Sequence, residues 1–246
     1  MAVKKLDNMK KIDAALYLIP VMLSEEGYQR ALPDYNREVI LSLKHFIVEN
    51  VRSARRFLKK AVPSIVIDEL NFTELNEHTS PKDISGLLSP MDNGSSVGLM
   101  SEAGCPAIAD PGAEVVALAH RKGYPVKPLV GPSSILLALM ASGFNGQRFA
   151  FHGYLPVEAT KRTACIRSME ARMVADDETQ IFMETPYRNN RLLHDLIGIC
   201  KPSTRLCVAV GILSEDEQIQ TRPVKEWEGK APDLNKKPAI YLIFHS

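Results

Sequence analysis

Short apolar runs, rich in Val, Ile, Leu and aromatic residues, recur along the chain and are separated by more polar stretches. They are ALYLIP (Ala15–Pro20), HFIVEN (His45–Asn50), SIVIDEL (Ser64–Leu70), SVGLMSE (Ser96–Glu102), YPVKPLV (Tyr124–Val130), RFAFHGYL (Arg148–Leu155), QIFMETP (Gln180–Pro186), LCVAVGI (Leu206–Ile212) and PAIYLIF (Pro238–Phe244). Several are apolar on consecutive residues, as suits strands buried on both faces. Segments of helical period lie between them: NREVILSLKH, VRSARRFLKKA, AEVVALAHRKG with Gly123 as its C-cap, SSILLALMASG stopping at Gly143, and YRNNRLLHDLIGIC. Strands alternating with helices predict an α/β protein with mainly parallel pairing. Nine strand runs are many for one small sheet. The Gly-Pro break in PLVGPSS (Pro128–Ser134) therefore divides the expected fold into two α/β domains, residues 1–130 and 131–246. Each is expected to hold a mainly parallel or mixed sheet flanked by helices, with a ligand cleft between the two.

Composition narrows the function classes. The chain has 246 residues, 45% hydrophobic and 24% charged, with a formal net charge of +1. That excludes a disordered chain and argues against binding nucleic acid by bulk charge alone. The cysteines, Cys105, Cys165, Cys200 and Cys207, form no C-x-x-C pair and are expected to be free thiols in a reducing compartment rather than metal ligands. The N-terminal segment is basic but interrupted by Asp7 and Asp13, and no apolar run approaches a membrane span. The expectation is a cytoplasmic protein without a metal or a membrane anchor.

One segment is shaped for a ligand. LMSEAGCPAIADPG (Leu99–Gly112) packs two acids, two glycines and two prolines directly after an apolar run. Such a segment continues neither a helix nor a central strand, and its glycines allow close backbone approach. The phosphate-cradling P-loop, the G-x-G-x-x-G fingerprint, H-E-x-x-H and the G-x-S-x-G elbow are all missing. Glu49, Glu102, Asp110 and Glu184 follow strand runs, where α/β proteins keep working residues. Glu49 and Glu102 are the candidates for a general base or for orienting substrate. Arg52, Arg55, Arg56, Lys59 and Lys60 recur at helical spacing, and Lys161 and Arg162 follow FHGYLP. These cations make either a solvated face or a surface for RNA phosphates.

Five motifs, in order, resemble those of the tetrapyrrole methylase family. They are ENVR (Glu49–Arg52), SEAGCPAIADPG (Ser101–Gly112), VGPSS (Val130–Ser134), FHGYLP (Phe151–Pro156) and ETPYR (Glu184–Arg188). Within the family the likeness is to the ribosomal RNA small-subunit methyltransferase I branch. The family forms are EDTR, SDAGTPxISDPG, PGPSA, FxGFLP and ExPxR. This chain departs at Asn50 and Cys105, and its first strand runs into IPVMLSEEGYQ, with Gly27 well downstream. The small C-terminal module of longer relatives is expected to be absent.

The resemblance implies a homodimer that transfers methyl groups from S-adenosyl-L-methionine to RNA, by likeness to a ribose 2′-hydroxyl of ribosomal RNA. It implies donor contacts from Pro20, Ser101, Glu102, Ala103, Gly104, Cys105, Pro106, Ile108, Asp110, Gly131, Ser133 and Ser134. Met183, Ile212, Pro238 and Ala239 complete that set. Arg52, Arg55, Arg56, Lys161 and Arg162 are the expected substrate contacts, with the EEGYQRALPDYN segment on the substrate side. Two alternatives stay open. One is C-methylation of a tetrapyrrole or corrin precursor. The other is a donor-binding protein that no longer methylates, to which Asn50 and the altered first loop point.

Overall fold

The computed structural model describes residues 14–24, 31–76 and 79–245. Gly27, most of the basic N-terminal segment and residues 25–30 of EEGYQRALPDYN lie outside them. The chain divides into two compact units, Met1–Pro132 and Ser133–Ser246.

The first unit holds five strands: β1 (Leu16–Leu18), β2 (His45–Val48), β3 (Asn71–Glu74), β4 (Val97–Met100) and β5 (Val126–Pro128). Their order is β3-β2-β4-β1-β5, and every pairing is parallel. Its helices are α1 (Asp34–Ser42), α2 (Val51–Ala61), the short α3 (Pro81–Ile84) and α4 (Ser89–Asp92), and α5 (Ala113–Arg121). Successive side chains of a strand point to opposite faces, and both faces here are apolar. Tyr17, Ile19, Phe46 and Val48 pack with Val39 and Ile40 of α1 and with Ala54, Phe57 and Leu58 of α2. Leu16, Ile47, Val97 and Leu99 pack with Val115 and Ala119 of α5 and with Leu87, Leu88 and Met91. That two-sided burial is why these strands are continuous apolar runs.

In α2 the buried positions Ala54, Phe57, Leu58 and Ala61 repeat at helical spacing, and the arginines and lysines between them stay outside. Asn50 is the N-cap of this helix: its side-chain oxygen accepts from the Ser53 backbone N–H at 3.0 Å. Asn caps a helix about as well as Asp, so this departure from the family motif keeps the helix start intact.

One expected strand moves. SIVIDEL is a loop with a single 3-10 turn (Ile67–Glu69), and β3 is the polar NFTE that follows. Val66 is 55% exposed in that loop, and β3 pairs with β2 alone at the sheet edge.

The second unit has a mixed sheet ordered β6-β7-β10-β8-β9. Its strands are β6 (Phe149–Tyr154), β7 (Thr179–Met183), β8 (Arg205–Val210), β9 (Gln218–Pro223) and β10 (Ala239–Phe244). β6 and β7 are parallel; β10 is antiparallel to β7 and β8, and β9 to β8. The helices are α6 (Ser134–Ser142), α7 (Ala159–Asp176) and α8 (Asn189–Ile199). Phe182, Leu206, Val208 and Tyr241 pack with Ile166, Met169 and Met173 of α7, with Leu192, Leu193 and Leu196 of α8, and with Trp227. Gly143 ends α6 in the left-handed conformation that favours glycine. The whole is an α/β fold with two sheets flanked by helices.

Candidate active site

In each unit the candidate residues that follow strands lie at one edge of that unit's own sheet. In the first unit, β1 leads through α1 to β2 on one side, while β4 leads through α5 to β5 on the other. β1 and β4 are neighbours, so their carboxyl ends form the topological switch point, the crevice where open α/β sheets take ligands. The loops after β1, β2, β4 and β5 all leave this edge. They carry Pro20, Glu49, Ser101–Gly112 and Gly131 respectively.

The switch point is stitched closed by main chain. Val21 and Gly104 exchange both backbone hydrogen bonds, at 2.8 and 2.9 Å. Gly104 takes a φ of +71° there, which glycine allows at little cost. Two non-glycine residues of the same loop, Ala107 and Ala109, also have positive φ, at 66° and 61°. Strain of this kind concentrates where a backbone is shaped for a ligand. The Cys105 thiol donates to the Pro132 carbonyl at 3.5 Å and so joins the loop after β4 to the loop after β5. Burial pushes that thiol's pKa up, which keeps it protonated and able to donate.

The loop after β5 is fixed by a residue that carries no motif. Asn36 of α1 is 1% exposed, and its Nδ2 donates to the Val130 carbonyl at 2.8 Å. Gly131 then passes so close to Pro20 that a Cβ on it would sit 2.2 Å from the Pro20 Cβ. Ser133 caps α6, accepting from the Leu136 N–H at 3.5 Å. Val21 and Asn36 are therefore structural parts of the site that sequence reasoning misses, because neither spacing nor composition distinguishes them.

The acids divide by environment. Glu102 is exposed, and its Oε1 accepts from the Ser53 hydroxyl at 2.8 Å, tying the loop after β4 to the first turn of α2. Glu49 is half-buried at the end of β2. Asp110 is half-buried, with burial the main cause and Glu102's charge a smaller one in raising its carboxyl above the ordinary carboxylate range; a hydrogen bond from Ser101 opposes both. The Ser101 hydroxyl also lies 3.3 Å from the Ala103 carbonyl.

The direction of the Asp110 shift sets a pH dependence. A carboxyl whose pKa is higher in the folded than in the unfolded state binds its proton more tightly when folded, so its contribution weakens as pH rises above about 4, the unfolded value. Asp110→Asn cannot ionise. The variant is expected to gain stability relative to the parent between pH 4 and pH 7, measured by urea unfolding across that range. A difference that stays flat with pH refutes the assignment.

In the second unit the candidates meet at the ends of β7, β10 and β8. Met183 pairs with Ile240, and Ala239 with Val210. Gly211 donates its N–H to the Pro238 carbonyl at 3.0 Å, which sets Ile212 beside this edge. Glu184 is a fixed acid: its Oε1 accepts from Arg188 at 2.6 Å and from the Thr185 N–H at 2.7 Å.

The expected basic surface breaks up. Arg162 is 4% exposed, not a surface cation. Its Nε and Nη2 bind Asp195 of α8 at 2.8 and 2.6 Å, and its Nη1 donates to the Pro156 and Val157 carbonyls at 3.0 and 2.6 Å. It is a core anchor. Arg55 pairs with Asp68 at 2.8 Å, and Lys161 with Glu158 at 2.8 Å, both on the surface. The Lys59 ammonium donates to the Ile65 carbonyl at 3.1 Å. Arg52 and Arg56 are exposed on α2. Among the described residues no cluster of His, Cys, Asp or Glu could hold a metal ion, and no helix is long and apolar enough to cross a membrane.

No family model matches the chain. It is 30% identical over 235 residues to a ribosomal RNA small subunit methyltransferase I from Vibrio cholerae, covering 94% of this chain and 76% of that one. It is 34% identical over 191 residues to a protein of the same name from Leptospira borgpetersenii, covering 77% and 70%. Among solved structures, the methyltransferase CobJ superposes with a TM-score of 0.63 at 13% identity, over 95% of each chain. Diphthine synthase superposes with a TM-score of 0.66 at 13% identity, over 94% and 89%. These distant structures share the fold implied by the five motifs, the tetrapyrrole methylase fold.

Proposed function

The chain belongs to the ribosomal RNA small subunit methyltransferase I family, and on that premise we propose that it methylates a ribose hydroxyl of ribosomal RNA with S-adenosyl-L-methionine as donor. The observation that carries the donor assignment is the stitched switch point: Val21 bonded to Gly104, Cys105 to Pro132, and Gly131 against Pro20. A donor with a carboxylate, an ammonium, a ribose and an adenine needs N–H and C=O groups at close range. Loops of glycine, alanine and proline supply these with few side chains in the way. The residues present fit such a donor. Ser101, Ala103, Gly104, Cys105, Pro106, Ile108 and Asp110 would hold it from the loop after β4, with Pro20 and Gly131 from the loops beside it.

When bound, the donor supplies a methyl group already activated by a sulfonium. The protein then has to align the acceptor oxygen and take its proton. Alignment to a near-attack distance of about 3–3.5 Å lowers the barrier by removing the entropy of encounter. Glu102 is proposed as the proton acceptor. Ser53 fixes its Oε1, leaving Oε2 to accept from the acceptor hydroxyl. Glu49 is proposed to orient the same hydroxyl. The resemblance also assigns a homodimer, which sedimentation of the purified protein tests.

The deciding experiment is incubation of the purified protein and radiolabelled donor with small ribosomal subunits from a strain lacking the gene. Label in a ribose 2′-O-methyl nucleoside after digestion is the expected result. Donor binding without transfer to any RNA overturns it. Turnover of a porphyrinoid instead establishes C-methylation of a tetrapyrrole precursor.

A further inference from the structure

We propose that Tyr154 and Tyr187, with the Arg188 guanidinium, form a stacking platform for one unpaired base of the RNA that accepts the methyl group. The inference rests on the reading that the acceptor is RNA, and it names a recognition element that the basic stripe of α2 lacks.

The parallel strands β6 and β7 end side by side, one in Tyr154 and the other just before the turn that carries Tyr187. Tyr154, the last residue of β6, is the register partner of Met183, the last residue of β7. Tyr187 follows in the turn Thr185–Arg188, closed by the Arg188 N–H on the Thr185 carbonyl at 2.9 Å. Tyr154 is 55% and Tyr187 75% exposed, although neighbouring aromatic residues of this unit, Phe182 and Tyr241, are fully buried. Arg188 lies within electrostatic reach of Tyr154 and is anchored by Glu184, itself 3% exposed in its side chain. The ion pair with Glu184 therefore fixes the guanidinium in the turn that carries Tyr187.

The surroundings are cationic. Arg191 is exposed on the first turn of α8. The backbone of Lys236 donates to the Pro186 carbonyl at 3.1 Å, and the Lys237 carbonyl accepts from Asn189 at 2.6 Å, so both exposed lysines flank the turn that carries Tyr187. Lys237 also faces Asp233. Exposed rings offer base-stacking area at low conformational cost, and guanidinium planes and ammonium groups add stacking and phosphate contact. A base held on such rings fixes the position of the ribose attached to it, and so of its 2′-hydroxyl.

The test uses the full chain with small ribosomal subunits from the deletion strain, and a single-stranded RNA decamer carrying 2-aminopurine as a separate binding probe. Tyr154→Ala and Tyr187→Ala are each expected to raise KM for the subunits about tenfold or more. Both should leave kcat and donor affinity within about twofold, and both should lose the 2-aminopurine quenching that stacking produces. Tyr187→Phe is expected to match the parent, because the ring and not the hydroxyl stacks. Unchanged KM and quenching in both alanine variants, with the parent active, overturn the platform alone. A shift of either variant to a smaller oligomer assigns the rings to an interface between copies and overturns it too. A parent that binds donor but methylates no RNA overturns the RNA reading, and the platform with it.

Discussion

Gly131→Ala is expected to cost the protein at least about tenfold in donor affinity, together with about 1–3 kcal/mol of stability from overpacking. The first methyl group placed on this backbone would sit 2.2 Å from the Pro20 Cβ and 2.6 Å from its Cγ. A prolyl ring is bonded back into its own main chain and cannot swing aside, so the loops after β1 and β5 must part. They cannot part freely. Leu129 donates to the Leu18 carbonyl at 2.9 Å, Asn36 holds the Val130 carbonyl, and Val21 is bonded to Gly104. Any displacement therefore propagates to the loop carrying Ser101–Gly112. Gly146→Ala is the control, because a Cβ there meets nothing within 4 Å. Calorimetric titration with the demethylated donor product reads the effect. Equal affinity in Gly131→Ala and the parent would sink the switch-point assignment.

Asp195→Ala is expected to destabilise the second unit by about 3 kcal/mol, the low end for breaking a buried ion pair. The change removes the carboxylate and leaves the Arg162 guanidinium, 5% exposed in its side chain, with only the Pro156 and Val157 carbonyls. Asp195 is 24% exposed, so water relieves part of the penalty. The joint change Arg162→Met with Asp195→Leu is expected to recover much of the loss, since an apolar pair leaves no orphaned charge. Trp227 is the chain's single tryptophan, 1% exposed in the core of this unit, so its fluorescence during urea unfolding reports the unit directly. A loss below about 1 kcal/mol would mean a solvated pair of the ordinary surface kind.

Arg162 also shows where a linear reading stops. On α7 the buried positions are Arg162, Ile166, Met169, Glu170 and Met173. They follow helical spacing, yet two are charged, so the apolar stripe that announces a helix is interrupted and the longest helix goes unpredicted. The charge of Glu170 is likewise absorbed inside, by the Lys201 N–H at 3.0 Å and the Thr204 hydroxyl. Arg162 looks like part of a basic patch because its partners are supplied by a distant helix and by carbonyls, which no spacing encodes.

The missed and misplaced strands share one cause. β3 and β9 are edge strands, each paired on one side only, and their residues are mostly polar or half-exposed. Edge strands are commonly kept polar to discourage pairing between molecules, so they carry little of the apolar signal. SIVIDEL has that signal without a place in the sheet. Of its three central apolar residues only Ile65 is buried, and Val66 faces solvent.

By itself, the sequence determined the alternating α/β plan, the central strands, the glycine ends of two helices, and the five motifs that carry the family resemblance. Those features are local: apolar period, cap and turn residues act over a few positions, and their cost is set before distant segments meet. The tertiary structure alone decided the rest. It made β1 and β4 neighbours and so created the switch point, bonded Val21 to Gly104, withdrew Arg162 into the core, and set Tyr154 in register with Met183 at the end of β7. These depend on which remote groups satisfy one another's hydrogen bonds and charges, and long-range pairing leaves no period along the chain.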